Sequence, residues 1–320
     1  LRMMLSHTSS LRDEAGYYWD ADSGVHLSEV FTPGGRLHGD GRMWAKNAPP
    51  GAYFQYANLP WGVVGTVMER VTGERFDRLI RRLILDPMGL PGGYHPAEFP
   101  PAVLAEVATL YRKRKEVDGK EVWDPKGPWI PQVDDHSNRP PAPRARPDYV
   151  PGTNGTLFGP QGNCRLTAEG LGKVMLMLLN GGVSGGRRIL RSSSIDLMLQ
   201  VQWRADRAGN RDGEFDADLG KRTMNAWGLG VQHYLDLGGP GWGDRLVAPG
   251  GFRASGHGGD AWGLTSALVF DRRTRNGLVF MIGGSAFDPA GHPGIYSGHP
   301  RHHEQILTAL YRRAIQGRTD

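Results

Sequence analysis

The sequence predicts an α+β protein, with helices mainly in its first two thirds and strands mainly in its last third. Two patterns carry this prediction. Residues 59–73 and 167–179 place apolar side chains at helical spacing. Residues 263–270 and 276–283 are apolar and rich in β-branched side chains, and the polar residues between them are typical of a hairpin.

The two helices carry residues that begin and end helices. Pro60 lies in the first turn of the helix that begins at Leu59, where a missing N–H is tolerated, and Gly73 would end it. Thr167 is a suitable N-cap for the second helix, which Asn180-Gly181 would end. Both boundaries are therefore predicted to within a few residues.

Three other segments have a clear pattern. Residues 77–85 continue helically after the first helix, and one apolar stripe is formed by Phe76, Leu79, Ile80, Leu83 and Ile84. Residues 139–151 contain five prolines and predict a long surface loop, since proline lacks a backbone donor. Residues 302–315 predict a closing amphipathic helix, with Ile306, Leu310 and Ile315 toward the core.

Composition argues against two classes of protein. Hydrophobic residues make up 39%, and no apolar run is long enough to span a membrane. The net charge of +5 raises the question of nucleic acid, but the densest basic run, 112–115, is followed at once by Glu116, Asp118 and Glu121. That alternation is typical of a solvated loop or hairpin, so we expect no nucleic-acid partner.

A single cysteine, Cys164, can form no internal disulfide, and we expect it to be a small buried residue.

The strongest functional pattern is Tyr56-Ala57-Asn58, directly before the first helix. A phenol and a carboxamide two positions apart can both point into one cleft there. A Tyr-x-Asn sequence alone is a weak signal, because it is frequent by chance. Its weight comes from other segments in the same chain.

Those segments occur in one order over nearly the whole chain. They are Leu1–Leu11, Pro50-Gly51 with Tyr56-Ala57-Asn58, Asp86–Leu90, Gly162–Leu171 and Ser255–Gly259. Together they resemble the serine hydrolases of the β-lactamase and penicillin-binding-protein clan, in the branch of class C β-lactamases, D-Ala-D-Ala carboxypeptidases and related esterases. Two positions depart from that pattern: Ser10 stands where Gly is usual, and His257 where β-lactamases usually carry Lys.

The resemblance implies a β-lactamase/transpeptidase-like fold, in which an antiparallel sheet has helices on both faces and lies beside a mostly helical region. It implies one catalytic domain over residues 1–320, helical at about 1–200 and with its sheet at about 220–320. The family's nucleophile lies in Ser-x-x-Lys, yet no serine here has a lysine three positions later. We therefore expect the first strands and the nucleophile helix to precede Leu1, and the chain alone to be inactive and poorly behaved.

The resemblance also implies a catalytic set of Tyr56, Asn58 and His257, which should converge on one cleft. A free tyrosine has a pKa of ~10, so a standing phenolate needs nearby positive charge, and histidine is mostly uncharged at neutral pH. We therefore expect Tyr56 to be a hydrogen-bonded proton relay, the alternative being a tyrosine at the edge of the core. Asn58 would orient the lysine and donate to a substrate carbonyl, and its structural role would be to cap the helix; both roles can hold at once.

The same resemblance places the substrate along His257-Gly258-Gly259. Gly258 and Gly259 would leave the strand edge unobstructed, although without the following hairpin the pair would simply predict a turn. The N–H of Asp260 would be one oxyanion donor and the N–H of the serine the other.

Three other patterns are weaker. Gly182–Gly186 fits Gly-x-Ser-x-Gly, but it joins a helix to a strand rather than a strand to a helix. Four histidines near the end, His292, His299, His302 and His303, lack the spacing of a metal site. We expect neither a metal nor a cofactor.

The sequence therefore predicts a serine hydrolase that forms an acyl-enzyme on an ester, amide or β-lactam. The alternative is a non-catalytic paralogue that binds a peptide or cell-wall fragment. The expected partner is a small-molecule or peptide substrate, and the resemblance favours a periplasmic or secreted location. The choice of substrate and the oligomeric state stay open, although His257 points away from a dedicated β-lactamase.

Overall fold

The computed structural model describes residues 1–46, 48–206, 215–216 and 221–317. The α-helices of this part are α1 Arg2–Leu5, α2 Ser28–Phe31, α3 Leu59–Thr72, α4 Phe76–Ile80, α5 Pro101–Leu104, α6 Ala168–Leu179, α7 Ser192–Leu199 and α8 Arg301–Leu310. Short π-helical segments, Arg81–Leu85 and Tyr311–Ile315, extend α4 and α8. No described helix has the length and hydrophobicity needed to cross a membrane.

The strands are mostly short. They are β1 Leu110–Val117, β2 Lys120–Trp123, β3 Trp129–Val133, β4 Val183–Ser184, β5 Arg187–Arg188, β6 Trp203–Arg204, β7 Phe215–Asp216, β8 Lys221–Arg222, β9 Ala226–Trp227, β10 Gln232–Tyr234, β11 Gly241–Trp242, β12 Ala254–Ala261, β13 Leu264–Asp271 and β14 Asn276–Gly283. The main sheet has six strands in the order β14-β13-β12-β10-β9-β6, and every neighbouring pair is antiparallel. Among the described residues β14 pairs only with β13, so it is an edge strand.

Helices cover both faces of the main sheet. On one face, Ala267 and Val269 of β13 share a buried cluster with Leu307 of α8, and Ile306, Leu310 and Ile315 pack against that cluster. On the other face, Phe270 of β13 packs with Met177 and Leu178 of α6. Adjacent residues of β13 therefore point to opposite helical layers, as side chains alternate along a strand. The predicted α+β fold is confirmed.

Most local predictions agree with the structure. α3 ends at Gly73, which has a left-handed φ of 70°, and Oγ1 of Thr167 accepts the N–H of Gly170 at the start of α6. β13 and β14 form the predicted hairpin, and the basic run 112–115 lies on the hairpin of β1 and β2. Residues 139–151 contain no helix or strand.

Two details differ from the sequence prediction. Leu83 is 45% exposed and lies in the π-helical extension of α4, whose wider winding breaks the α-helical spacing of the predicted stripe. Cys164 is half-buried rather than buried, although burial of its thiol raises the pKa of Cys164 to about 11. The expected boundary between a helical region and a sheet region stays a prediction, and residues 318–320 of the latter lie outside the described part.

A glycine allows α3 to pack closely on the segment that follows the proline-rich loop. A Cβ on Gly62 would lie 2.1 Å from Cγ2 of Thr156, which is itself 1% exposed. A Cβ on Gly172 of α6, by contrast, would have no atom within 4 Å. The two positions therefore separate helix propensity from packing.

We expect Gly62→Ala to lower the free energy of unfolding by about 1–2 kcal/mol, because overpacking outweighs the gain in helix propensity. Gly172→Ala is the matched control and should raise that free energy by up to about 1 kcal/mol. Urea unfolding followed by circular dichroism measures both. Two variants that are equally stabilised would show that α3 does not pack against Thr156.

A buried histidine, His303, and a half-buried one, His299, lie behind β12. His303 of α8 is 3% exposed, and its ring centroid lies 5.1 Å from that of Phe280 and 4.6 Å from that of His299. Burial lowers the pKa of His303 to about 2 and that of His299 to about 4, and repulsion from neighbouring histidines adds to the effect. Both rings are therefore neutral in the folded protein at weakly acidic pH.

This burial predicts loss of stability in acid. Unfolded histidines have a pKa of ~6.5, so below that pH the unfolded chain binds protons that His299 and His303 exclude when folded. Between about pH 5.5 and 4, the unfolding free energy of the wild type falls as the pH falls. In His303→Gln this slope should be smaller by about 1.4 kcal/mol per pH unit. Urea unfolding at several pH values measures the slope, with His26→Gln at an exposed ring as control. An unchanged slope in His303→Gln would contradict the assignment.

Candidate active site

Two residues that are 201 positions apart meet in the structure. The hydroxyl of Tyr56 lies 3.4 Å from Nε2 of His257, and the centroids of the two rings are 5.9 Å apart. Tyr56 stands just before α3, whereas His257 belongs to β12 of the main sheet. The contact therefore joins the helical part of the chain to the sheet.

A buried indole stands at the centre of the surrounding rings. Trp227 of β9 is 0% exposed and makes edge-to-face contacts with His7, Tyr56 and His257, at centroid distances of 4.8, 5.8 and 5.5 Å. Phe54 lies 5.6 Å from it. We call these five rings the Trp227 cluster. Its members come from four separate stretches of the chain, so their packing fixes the approach of Tyr56 to His257.

The hydrogen bonds of His257 define its tautomer. Nδ1 lies against the carbonyl oxygen of Gly258, and a carbonyl can only accept, so Nδ1 carries the proton. Burial lowers the pKa of His257, which keeps the ring neutral at neutral pH. Nε2 is then an unprotonated acceptor, and the Tyr56 hydroxyl is its donor. The pair can pass a proton from tyrosine to histidine.

The strand that carries His257 has a partly open edge. β10 pairs with residues 254–256 of β12, ending at Gly256, whereas β13 pairs with residues 255–261. Residues 257–261 are therefore paired on one side only within the described part of the chain. This segment includes Gly258, Gly259 and Asp260, and unpaired backbone groups of such an edge can bind an extended chain.

The glycines of β12 also have packing reasons. A Cβ on Gly259 would lie 2.5 Å from Oγ of Ser266, and one on Gly258 would lie 3.3 Å from the His303 ring. Gly256 has a φ of 153°, and a Cβ there would lie 1.9 Å from the carbonyl oxygen of Leu268. A side chain at Gly256 would therefore displace the neighbouring strand, whereas the atoms nearest to a Cβ on Gly258 or Gly259 belong to side chains. Gly256 is needed for the sheet whether or not a substrate binds.

Asn58 is placed differently from Tyr56 and His257. Its Nδ2 donates to Asp13 at 2.9 Å, and the Asp13 carboxylate also accepts the N–H groups of Asn58 and Leu59. The side chain of Asn58 makes no capping bond. Its predicted structural role as the capping side chain is therefore wrong, because Asp13 caps α3 from 45 positions away.

Sequence reasoning missed three residues that build the site: His7, Asp13 and Trp227. The only sequence signal for His7 is its position in Leu1–Leu11, one of the segments that resemble the family. Asp13 and Trp227 act across long sequence separations, where neither periodicity nor spacing carries information. Their roles become visible only with the fold.

The other candidate residues lie elsewhere. Ser184 is on the two-residue strand β4, which pairs with β5 in a hairpin. Within the described part of the chain, one group of possible metal ligands lies close together, namely Asp77, His95 and Glu98. Arg75 donates to both carboxylates, at 3.0 and 2.9 Å, so a guanidinium already holds this charge.

A cavity of about 600 Å³ opens beside that group, at the far end of α3 from Tyr56. Its arginines are already paired: Arg75 and Arg78 with Glu98, and Arg146 with Asp148. Each of these guanidinium groups therefore already has a carboxylate partner. We assign this cavity no role in the chemistry.

Comparison with known proteins agrees with the geometry. The model of the Beta-lactamase family matches residues 1–294, whereas no curated protein matches the sequence. Similar solved structures include a D-stereospecific amidohydrolase from Streptomyces sp., with 18% identity over 91% of this chain and 69% of that chain and a TM-score of 0.51. A D-amino acid amidase from Ochrobactrum anthropi SV3 has 18% identity over 89% of this chain and 65% of that chain, with a TM-score of 0.50.

An octameric penicillin-binding protein homologue from Pyrococcus abyssi has 16% identity over 99% of this chain and 55% of that chain, with a TM-score of 0.54. The chain therefore spans between 55% and 69% of the length of these three structures. At such identities the likeness concerns the fold, which is the β-lactamase/transpeptidase-like fold that the motifs predicted. With a family match over 294 of its 320 residues, the chain belongs to the Beta-lactamase family.

Proposed function

We propose that this chain is part of a serine hydrolase that forms an acyl-enzyme, with Tyr56 and His257 as its proton-transfer pair. The observation that carries the proposal is their 3.4 Å contact beside the open edge of β12. Acyl transfer needs a proton acceptor next to the nucleophile and donors for the developing oxyanion. The contact offers the first and the strand edge offers the second.

The proton path follows from the tautomer of His257. As a serine Oγ forms its bond to the acyl carbon, its proton passes to the Tyr56 oxygen, and Tyr56 gives its own proton to Nε2 of His257. The reverse transfers protonate the leaving alcohol or amine when its bond to the acyl carbon breaks. Water then replaces the alcohol or amine and repeats the sequence to release the acid. Because His257 is neutral beforehand, Tyr56 acts as a relay and not as a standing phenolate.

Substrate binding is assigned to the same edge. An extended substrate would lie along Gly258 and Gly259, with the N–H of Asp260 as one oxyanion donor. Asn58, held by Asp13, would present the rest of its carboxamide to the lysine and the substrate carbonyl. These roles are proposals that rest on the family motifs and on the unpaired residues 257–261 of β12.

The proposed mechanism takes its nucleophile from polypeptide outside these residues. No serine here is followed by a lysine three positions later, so the proposal requires a Ser-x-x-Lys pair elsewhere in the complete gene product. The 320 residues alone would show no turnover. Reading the full coding sequence tests this requirement directly.

For the substrate we propose an ester or amide without a carboxylate in preference to a carboxylate-bearing β-lactam. His257 stands where β-lactamases usually carry lysine, and its lowered pKa leaves no positive charge to bind a carboxylate. Two structural neighbours are named a D-stereospecific amidohydrolase and a D-amino acid amidase, which adds D-amino acid amides as test substrates.

In the complete gene product, Tyr56→Phe should lower kcat for a nitrophenyl ester by about 10²–10⁴-fold, because the proton relay is lost. Tyr53→Phe is the matched control, since Tyr53 is a half-buried tyrosine of the same segment. Ester turnover and the burst of acyl-enzyme measure both variants. Wild-type turnover by Tyr56→Phe would refute the proposal. The non-catalytic alternative would be favoured if the complete protein lacks Ser-x-x-Lys and binds a peptide without hydrolysing it.

A further inference from the structure

We propose that His7 is a positioning residue for Tyr56, and that it works only as a neutral imidazole. It holds the backbone on both sides of Tyr56 and the face of the Tyr56 ring. The inference rests on the proposed function, because it assumes that Tyr56 moves a proton. Its structural half can be tested without catalysis.

The backbone contacts bracket Tyr56. The carbonyl of His7 accepts the N–H of Gln55 at 2.8 Å, and Nδ1 of the same residue accepts the N–H of Ala57 at 3.2 Å. One residue thus binds the amides immediately before and after Tyr56. His7 has a left-handed φ of 55°, an uncommon conformation for a residue with a side chain. Such strain persists where surrounding contacts impose it.

The ring contact fixes the side chain. The centroids of the His7 and Tyr56 rings are 4.5 Å apart, with an angle of 31° between their planes. Trp227 meets both rings edge-on. Rotation of the Tyr56 ring away from His257 would therefore require His7 or Trp227 to move.

The hydrogen bond from Ala57 requires a particular state of His7. Because Nδ1 accepts an N–H, it must be unprotonated, so the neutral ring carries its proton on Nε2. Protonation would remove the acceptor and release Ala57. His7 is 2% exposed, and burial followed by repulsion from His257 lowers its pKa to about 3. Its other ring neighbours, Phe54, Trp61 and Trp227, carry no charge.

Two variants separate the two contacts. In His7→Asn, Oδ1 is as many bonds from Cα as Nδ1 is, so the bond from Ala57 is kept while the stacking is lost. His7→Phe keeps a ring against Tyr56 but leaves the Ala57 N–H without its acceptor. His38→Asn is the matched control, because His38 is half-buried and binds the carbonyl of Val30 through Nδ1, outside the Trp227 cluster.

The first measurement uses the complete gene product labelled with 3-fluorotyrosine, in which Tyr56→Phe assigns the Tyr56 resonance. We expect ¹⁹F NMR to show a changed Tyr56 resonance in both His7 variants and an unchanged one in His38→Asn. In the complete gene product, kcat should fall by about 10–100-fold while KM changes less than about twofold, because misplacement of a catalytic group by ~1 Å costs on this scale.

An unchanged Tyr56 resonance in either folded His7 variant would overturn the proposal. Where neither variant folds, ¹⁵N NMR of the wild-type histidines decides: protonation of His7 at Nε2 supports the proposal, and protonation at Nδ1 overturns it. If Tyr56→Phe keeps full turnover, the proposed function fails, whereas the ¹⁹F result still reports whether His7 positions Tyr56.

Discussion

The packing of aromatic rings around Trp227 is the constraint on which the site depends. This indole is fully buried on β9, and it contacts two rings from the segment before α3, one from the chain after α1 and one from β12. Each aromatic pair contributes about 0.5–1.5 kcal/mol beyond its buried area. No single contact would hold the helical part against the sheet, but together they place Tyr56 and His257 within 3.4 Å.

The Trp227 cluster also affects the charge around Tyr56 and His257, and so the chemistry that this pair can support. A lysine at position 257 would bring a positive charge toward the tyrosine. The histidine found there is half-buried and its lowered pKa keeps it neutral, so it offers a lone pair in place of a charge. Burial also keeps His7, the other imidazole in contact with Tyr56, neutral. Both imidazoles that contact Tyr56 are therefore uncharged, which favours the proposed proton relay over a stabilised phenolate.

Local elements could be predicted from the sequence because their signals are local. Helix α3 with Gly73, helix α6 with Thr167 and the hairpin of β13 and β14 all follow from spacing and end residues. The prediction that Tyr56 and His257 lie close together came from the family motifs, which occur in the expected order along the chain. The contacts that could not be predicted act over long separations: Asp13 caps a helix 45 positions away, and Trp227 joins rings from three other stretches of the chain. Pattern and propensity contain no information about such contacts.

The central claim is that Tyr56 and His257 serve a serine nucleophile. A crystal structure of the complete gene product after reaction with a fluorophosphonate tests this most directly. We expect the modified serine to precede a lysine by three positions, with its Oγ about 3 Å from the Tyr56 hydroxyl and the phosphonyl oxygen bound by the N–H of Asp260. A modified serine remote from Tyr56, for example Ser184, would contradict the account.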